Sequence, residues 1–275
     1  MAREIGMLMA RPTMPDAAAW SRIARTRASG FTLVVALLLL WEFSARFGWV
    51  VSQNWPPFSL VLVATARGLW SGELSGPLAA SLARMAAGYV IGSVFGIALG
   101  LLIGTIGVLD RFITPLIEAL RPLPLPALVP PLILFLGLDD RLKVFVVAFA
   151  VVFPVLVSTL GGVRDIDEVL IRTARTFGAS RARTLAKVVL PASMPSISAG
   201  LRISLSLALV TTVVAEMIAG SSGIGYSILQ AQYGLRPEEM YAAVLCISAV
   251  GYGLNRGFIR LERRLLDWYQ KDDAT

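Results

Sequence analysis

Six stretches of this chain are apolar for about the length of a bilayer crossing, and that repetition constrains the fold more than any other feature. A hydrocarbon core about 30 Å thick needs roughly 20 apolar residues in a helix. The stretches run from about Phe31 to Trp49, Leu78 to Ile106, Phe112 to Leu138, Val144 to Val163, Ile197 to Ala219 and Met240 to about Ile259. With 56% apolar and 16% charged residues, the 275-residue chain has too few charges to clothe a soluble body or to remain disordered. The absence of histidine and the single cysteine, Cys246, exclude histidine acid–base chemistry, a Cys/His zinc site and an internal disulfide. The expected fold is an all-α integral membrane protein of six transmembrane helices, with no metal site.

Basic residues outside the spans set the expected orientation. Arg3, Arg11, Arg22, Arg25 and Arg27 precede span one, and Arg111 lies between spans two and three. Arg164, Arg172, Arg175, Arg181, Arg183 and Lys187 lie between spans four and five; Arg256, Arg260, Arg263, Arg264 and Lys271 lie at the C-terminal end. Six crossings put all of these on one side, leaving Arg67, Arg236 and the Arg141/Lys143 pair beside Asp139 and Asp140 on the other. Both termini are therefore expected in the cytoplasm. The implied organisation is a segment 1–30, a six-span domain 31–262 containing a cytoplasmic loop 164–192, and a tail 263–275. The excess of 25 basic over 18 acidic residues is topological, and no separate basic domain suggests nucleic acid. A cleavable leader built on Arg22 to Leu40 competes for the N-terminus. About thirty residues come first, however, and the apolar run continues through Phe43 and Phe47, which favours a retained span.

Within the spans three patterns stand out. Gly88, Gly92, Gly96, Gly100 and Gly104 repeat every four residues in span two, a groove into which another helix can pack closely. Pro115, Pro122, Pro124, Pro126, Pro130 and Pro131 crowd span three, so a continuous helix from Arg121 to Pro131 is not expected. Irregular backbone at membrane depth is tolerated only inside protein or beside a wet cavity, which makes this segment a candidate pathway wall. Ionisable residues inside spans are few: Glu42, Arg46, Arg84, Glu118, Arg121, Arg202 and Glu216. Arg46, Arg84 and Arg202 lie near span ends and are expected to snorkel, while Glu118 and Arg121, three apart, are expected to pair. Arg121, Pro122, Pro124, Arg202, Ser206, Thr211, Thr212 and Glu216 form the candidate pathway or gating set, with Glu216 read slightly in favour of anchoring a neighbouring helix. Phe58 to Trp70, after Pro56 and Pro57, is expected to lie along the bilayer surface and contact lipid.

The loop reads DIDEVLIRTARTFGASRARTLAKVVLPASMP from Asp165 to Pro195. Asp165, Asp167 and Glu168 suit a helix N-terminus, Val169, Leu170, Thr173, Ala174 and Phe177 supply an apolar face, and Gly178 stops the helix. A second short helix is expected from Arg181 to Val189, ended by Pro191. A solvated knob with this much apolar surface calls for a partner.

The loop resembles the EAA motif of ABC-importer permeases, which runs E-A-A, three residues, G, nine residues, I, one residue, L-P. Arg172, Thr173 and Ala174 stand at the E-A-A positions, followed in register by Gly178, Val188 and Leu190–Pro191, so the spacing is kept while the first two letters differ. Ser81-Leu82-Ala83-Arg84, Arg121-Pro122-Leu123-Pro124, and Ala215-Glu216-Met217-Ile218-Ala219 followed by Gly223-Ile224-Gly225 are similar to the nitrate, sulfonate, taurine and bicarbonate branch. The resemblance implies a type I importer permease in the bacterial inner membrane. It further implies a two-fold dimer, two ATPase subunits carrying ATP and magnesium, and a periplasmic solute-binding protein. Coupling to the ATPase would fall to Arg172, Thr173, Ala174, Phe177, Gly178, Ala179, Ser180, Arg181, Leu190 and Pro191. The expected activity is alternating-access import of a small anion, or of an uncharged or heterocyclic nutrient such as a vitamin precursor. The chain has no G-x-x-x-x-G-K-S/T loop of its own to bind ATP. A secondary transporter or channel would need its own coupling carboxylates and often an inverted repeat, which is not evident. A membrane-embedded enzyme lacks a catalytic constellation.

Overall fold

A computed structural model describes residues 27–50 and 52–266. The segment before residue 27 and the tail after 266, with their basic residues, lie outside the described residues. The chain forms two compact units, one ending at Leu60 and the other beginning at Val61. In the first, α1 (Arg27–Arg46) coincides with the first expected span. Its return loop folds back on it: Trp41 donates to the Pro56 carbonyl at 3.0 Å, and its ring lies 5.2 Å from that of Trp55. Glu42 accepts from the Arg46 guanidinium at 2.5 Å and from the Ser59 amide at 2.9 Å, so Arg46 is paired rather than simply extended to an interface. Helix α2 (Phe58–Ser71) follows, apolar and too short to cross a bilayer.

The second unit is built on α3 (Ser75–Thr105) packed against α6 (Asp140–Arg164). All five seam glycines face α6. A Cβ added to Gly88 would lie 2.6 Å from that of Val147, one on Gly92 2.5 Å from the Ala148 carbonyl oxygen, and one on Gly100 2.6 Å from the Thr159 Cβ. Val151, Val155 and Val163 meet Gly92, Gly96 and Gly104, so two four-residue rows interlock along the whole contact. On its other side α6 meets α9 (Leu190–Ala219), where Gly200 faces Ser158 and Gly162 faces Ser196. Helices α10 (Ile224–Tyr233) and α11 (Pro237–Leu265) close a further core of Leu74, Ile224, Ile228, Ala242, Ala243, Cys246 and Ile247. The outer faces stay apolar, as lipid contact requires: Val90, Val94 and Phe95 on α3 are all more than half exposed.

The expected break in span three is present, and the expectation about Pro191 is corrected. The third span is a bent pair, α4 (Gly107–Leu120) and α5 (Leu125–Leu136), meeting at 99°. Its break is confined to residues 121–124, whereas Pro126, Pro130 and Pro131 sit inside α5. Pro126 falls in the first turn, where no intrahelical donor is needed, and Pro130 and Pro131 forgo bonds in a helix already short. Pro191 does not end a helix either. The chain runs from α8 (Arg181–Thr184) through a π-helical turn (Leu185–Val189) into α9, a single 39-residue rod from Arg181 to Ala219. The Leu190 amide reaches back five residues to the Leu185 carbonyl, and this wider turn makes room for the proline ring that follows. Among the described residues four helices are long and apolar enough to cross a membrane, and five with the bent pair.

Candidate functional site: an exposed knob, a buried charge cluster and a mid-depth cavity

The 164–192 segment builds a knob. Asp167 accepts from the Val169 amide at 2.8 Å and so caps α7 (Glu168–Thr176), while Arg172 pairs with Glu168 at 2.7 Å along its surface. Gly178, at φ +71°, takes the left-handed conformation that turns the chain out of the helix, a position costly for any side chain. Ser180 then caps α8 by accepting from the Arg183 amide at 3.3 Å. No residue of α7 is buried, and Val169 and Leu170 are exposed. Phe177 is 86% exposed, so the apolar face is not folded back on the bundle. Arg172, Thr173, Gly178, Ser180, Arg181 and Pro191 are exposed, and Ala174, Ala179 and Leu190 half-buried.

At the far end of the same rod, Glu216 is fully buried. Its Oε1 accepts from Arg84 Nη1 at 2.7 Å, its Oε2 from the Gly225 amide at 3.0 Å, and the Ser81 hydroxyl lies 2.8 and 2.7 Å from the two oxygens. Ser81 in turn accepts from the Ile224 amide at 2.8 Å. Arg84 also donates to Ser222 Oγ and to Asp140 Oδ1, each at 2.7 Å, and the buried Lys143 lies 3.5 Å from that same oxygen. Two cations and two carboxylates thereby join α3, α6, α9 and the loop before α10. Gly223, at φ +107°, lies against the Glu216 carboxylate, where any Cβ would overlap it. Arg84 therefore does not snorkel. Ser81 and Arg84, three apart, share one face of α3, the local sign that the two act together; their distant partners Asp140, Lys143 and Ser222 carry no such local sign.

A third feature lies midway along the bundle. Arg121, at the α4–α5 break, lines a cavity of about 320 Å³ with Leu120, Phe149, Phe153, Ser158 and Leu207 among its walls. It forms no ion pair with Glu118 or with any other described residue, although the helical register holds through Arg121, whose amide still donates to the Ile117 carbonyl at 2.8 Å; both side chains are exposed. Pro122 and Pro124 belong to the break itself. Arg202 lies 3.5 Å from Glu262 on α11. Thr212 returns its hydroxyl to the Ala208 carbonyl at 2.8 Å, Ser206 is exposed, and Thr211 borders a smaller cavity of about 190 Å³ beside Leu125 and Pro126.

Residues 92–266 match the family model of the binding-protein-dependent transport system inner membrane component. The chain belongs to that family. This permease is 34% identical to the putative aliphatic sulfonates transport permease protein SsuC of Escherichia coli strain K12 over 252 residues, 90% of this chain and 96% of the relative. With SsuC of Bacillus subtilis strain 168 it shares 34% over 241 residues, 87% of each. With the taurine transport system permease protein TauC of Escherichia coli K12 it shares 36% over 163 residues, 59% of this chain and 58% of TauC. In fold it is similar to a chain of the inward-facing MetNI methionine ABC transporter, at a TM-score of 0.64 and 18% identity, covering 70% of this chain and 95% of that one. The permease is thus a membrane-embedded, all-α subunit of the type I ABC-importer fold. It is a transport subunit rather than an enzyme, and in this family the ATPase is a separate chain.

Proposed function

We propose that the permease carries a small organic anion of the sulfonate type into the cell, as a two-fold dimer in the bacterial inner membrane with both termini in the cytoplasm. Each copy would receive an ATPase subunit, with its ATP and magnesium, on the α7 knob, and a periplasmic binding protein would deliver the solute. The observation that carries this reading is the exposed apolar face of α7, joined through the Gly178 turn to the 39-residue rod that reaches the Glu216–Arg84 cluster. Closure of the ATPase pair would press on Phe177 and its neighbours, and the 39-residue rod would carry that displacement across the membrane without a joint to absorb it. Arg172, Thr173, Ala174, Gly178, Ala179, Ser180, Arg181, Leu190 and Pro191 would shape the docking face and its link to the rod. The 87–90% of the chain that matches two permeases named for aliphatic sulfonates supports the choice of solute class.

The test is the reconstituted transporter with its ATPase and binding protein. Phe177→Asp should abolish retention of the ATPase and ATP-driven uptake while the permease itself still folds, because the side chain buries nothing within its own chain. Retention and uptake at the level of the unaltered protein would refute the docking assignment. Uptake of nitrate or bicarbonate without any sulfonate would overturn the solute assignment alone.

A further inference from the structure

We infer that Arg121 forms a translocation subsite, one that takes the charged head of an amphipathic organic anion while the adjoining aromatic and aliphatic wall takes its apolar tail. The inference rests on the importer reading above for its direction of transport, but its chemistry comes from the cavity. Arg121 shares that cavity with Phe149, Phe153 and Val157 in the middle turns of α6 and with Ile203 and Leu207 in the middle turns of α9. Those lining residues stand at mid-helix, the depth at which a charged side chain in a spanning bundle is most often functional. Arg121 itself is exposed, whereas Arg84 has Glu216 and Asp140, and Arg202 has Glu262. Arg121 has neither an ion pair nor a hydrogen-bonded side-chain partner among the described residues. It also stands where the backbone is broken by the α4–α5 bend, as expected beside a wet cavity. An arginine fork suits a trigonal array of anionic oxygens.

The remaining lining selects the rest of the ligand. Ser158 is the only other side chain there with a polar group, and no carboxylate borders the space, so nothing is present to receive an ammonium. A sulfonate with an alkyl tail fits such a site; one ending in an amine does not. The geometry therefore separates the two solute types named for this permease's relatives.

The natural chain has one cysteine, so a Cys246→Ala, Ser158→Cys form in the assembled transporter carries a single thiol inside the cavity. Its rate of modification is to be measured with anionic sulfonatoethyl and cationic trimethylammonioethyl methanethiosulfonate. Arg121→Gln should lower the anionic-to-cationic rate ratio by about fivefold, and Arg121→Lys and Arg202→Gln should preserve it. Hexanesulfonate should slow modification when Arg121 is present, and taurine at the same concentration should not. A ratio unmoved by Arg121→Gln, or equal protection by taurine, overturns the subsite. The companion measurement is hexanesulfonate uptake by the complete transporter with its binding protein. Absence of uptake together with an Arg121-dependent ratio would sink the sulfonate-import reading and leave the subsite standing.

Discussion

Arg84 is buried in the helical bundle and Arg121 is exposed at the α4–α5 break, and the fold treats them in opposite ways. Arg84 is held by acceptors from α6, α9 and the loop before α10, beside a carboxylate with no solvent exposure. Arg121 meets a cavity and has no carboxylate. The difference follows from where each sits on its helix. Arg84 continues the four-residue row of Gly88 to Gly104, and Lys143 continues the opposing row of Val147 to Val163, so the closest helix contact in the molecule delivers Arg84 to its partners. Arg121 stands at a helix end, where the chain turns through 99° and no neighbouring row continues. A charge carried on a rigid seam becomes structure, whereas one at a break stays available.

The strongest blow to that contrast is to the seam itself. Gly92→Leu should eliminate folded permease, seen as loss of the monodisperse peak in detergent size-exclusion, because the new side chain must occupy space already filled by Ala148 and Val151. Next comes the cluster. Arg84→Met alone should destabilise by about 3–5 kcal/mol, since it leaves the buried Glu216 carboxylate without a cation, and Glu216→Gln by less, since Arg84 keeps Asp140. The Arg84→Met, Glu216→Met double variant should recover part of that loss in thermal unfolding, and a double variant no better than either single one would show that the pair is not the element being lost. Arg121→Gln should leave the unfolding midpoint unchanged or raise it, the reverse of Arg84→Met, because no partner is stranded. A large fall in stability at Arg121 would erase the distinction between the two sites. Smallest of all, Arg172→Ala removes an exposed pair with Glu168 and should not shift the midpoint measurably.

The identity of the helices, the glycine groove and the boundaries of the α7 knob were legible in the sequence because each depends on nearby residues. Apolar run length, a four-residue repeat, an aspartate before a helix and a glycine after it act within a turn or two. The prolines were only half legible. They disfavour helix locally, but the bend settled at residues 121–124 while Pro130, Pro131 and Pro191 were absorbed, the last by a π turn just before it. The charges were the least legible. Arg84 is 132 residues from Glu216 and 56 from Asp140, separations over which no periodicity carries information. Arg121 was expected to pair with Glu118 by helical spacing, yet the two side chains stay exposed and apart on the last turn of an intact α4, so spacing alone did not decide the pairing. What the sequence determined by itself was therefore a membrane-spanning helical chain with an amphipathic knob. Which of its arginines is locked and which is free was decided only by the tertiary structure, because desolvating a charge is tolerable where packing brings a counter-charge to it, and packing is a property of the whole bundle.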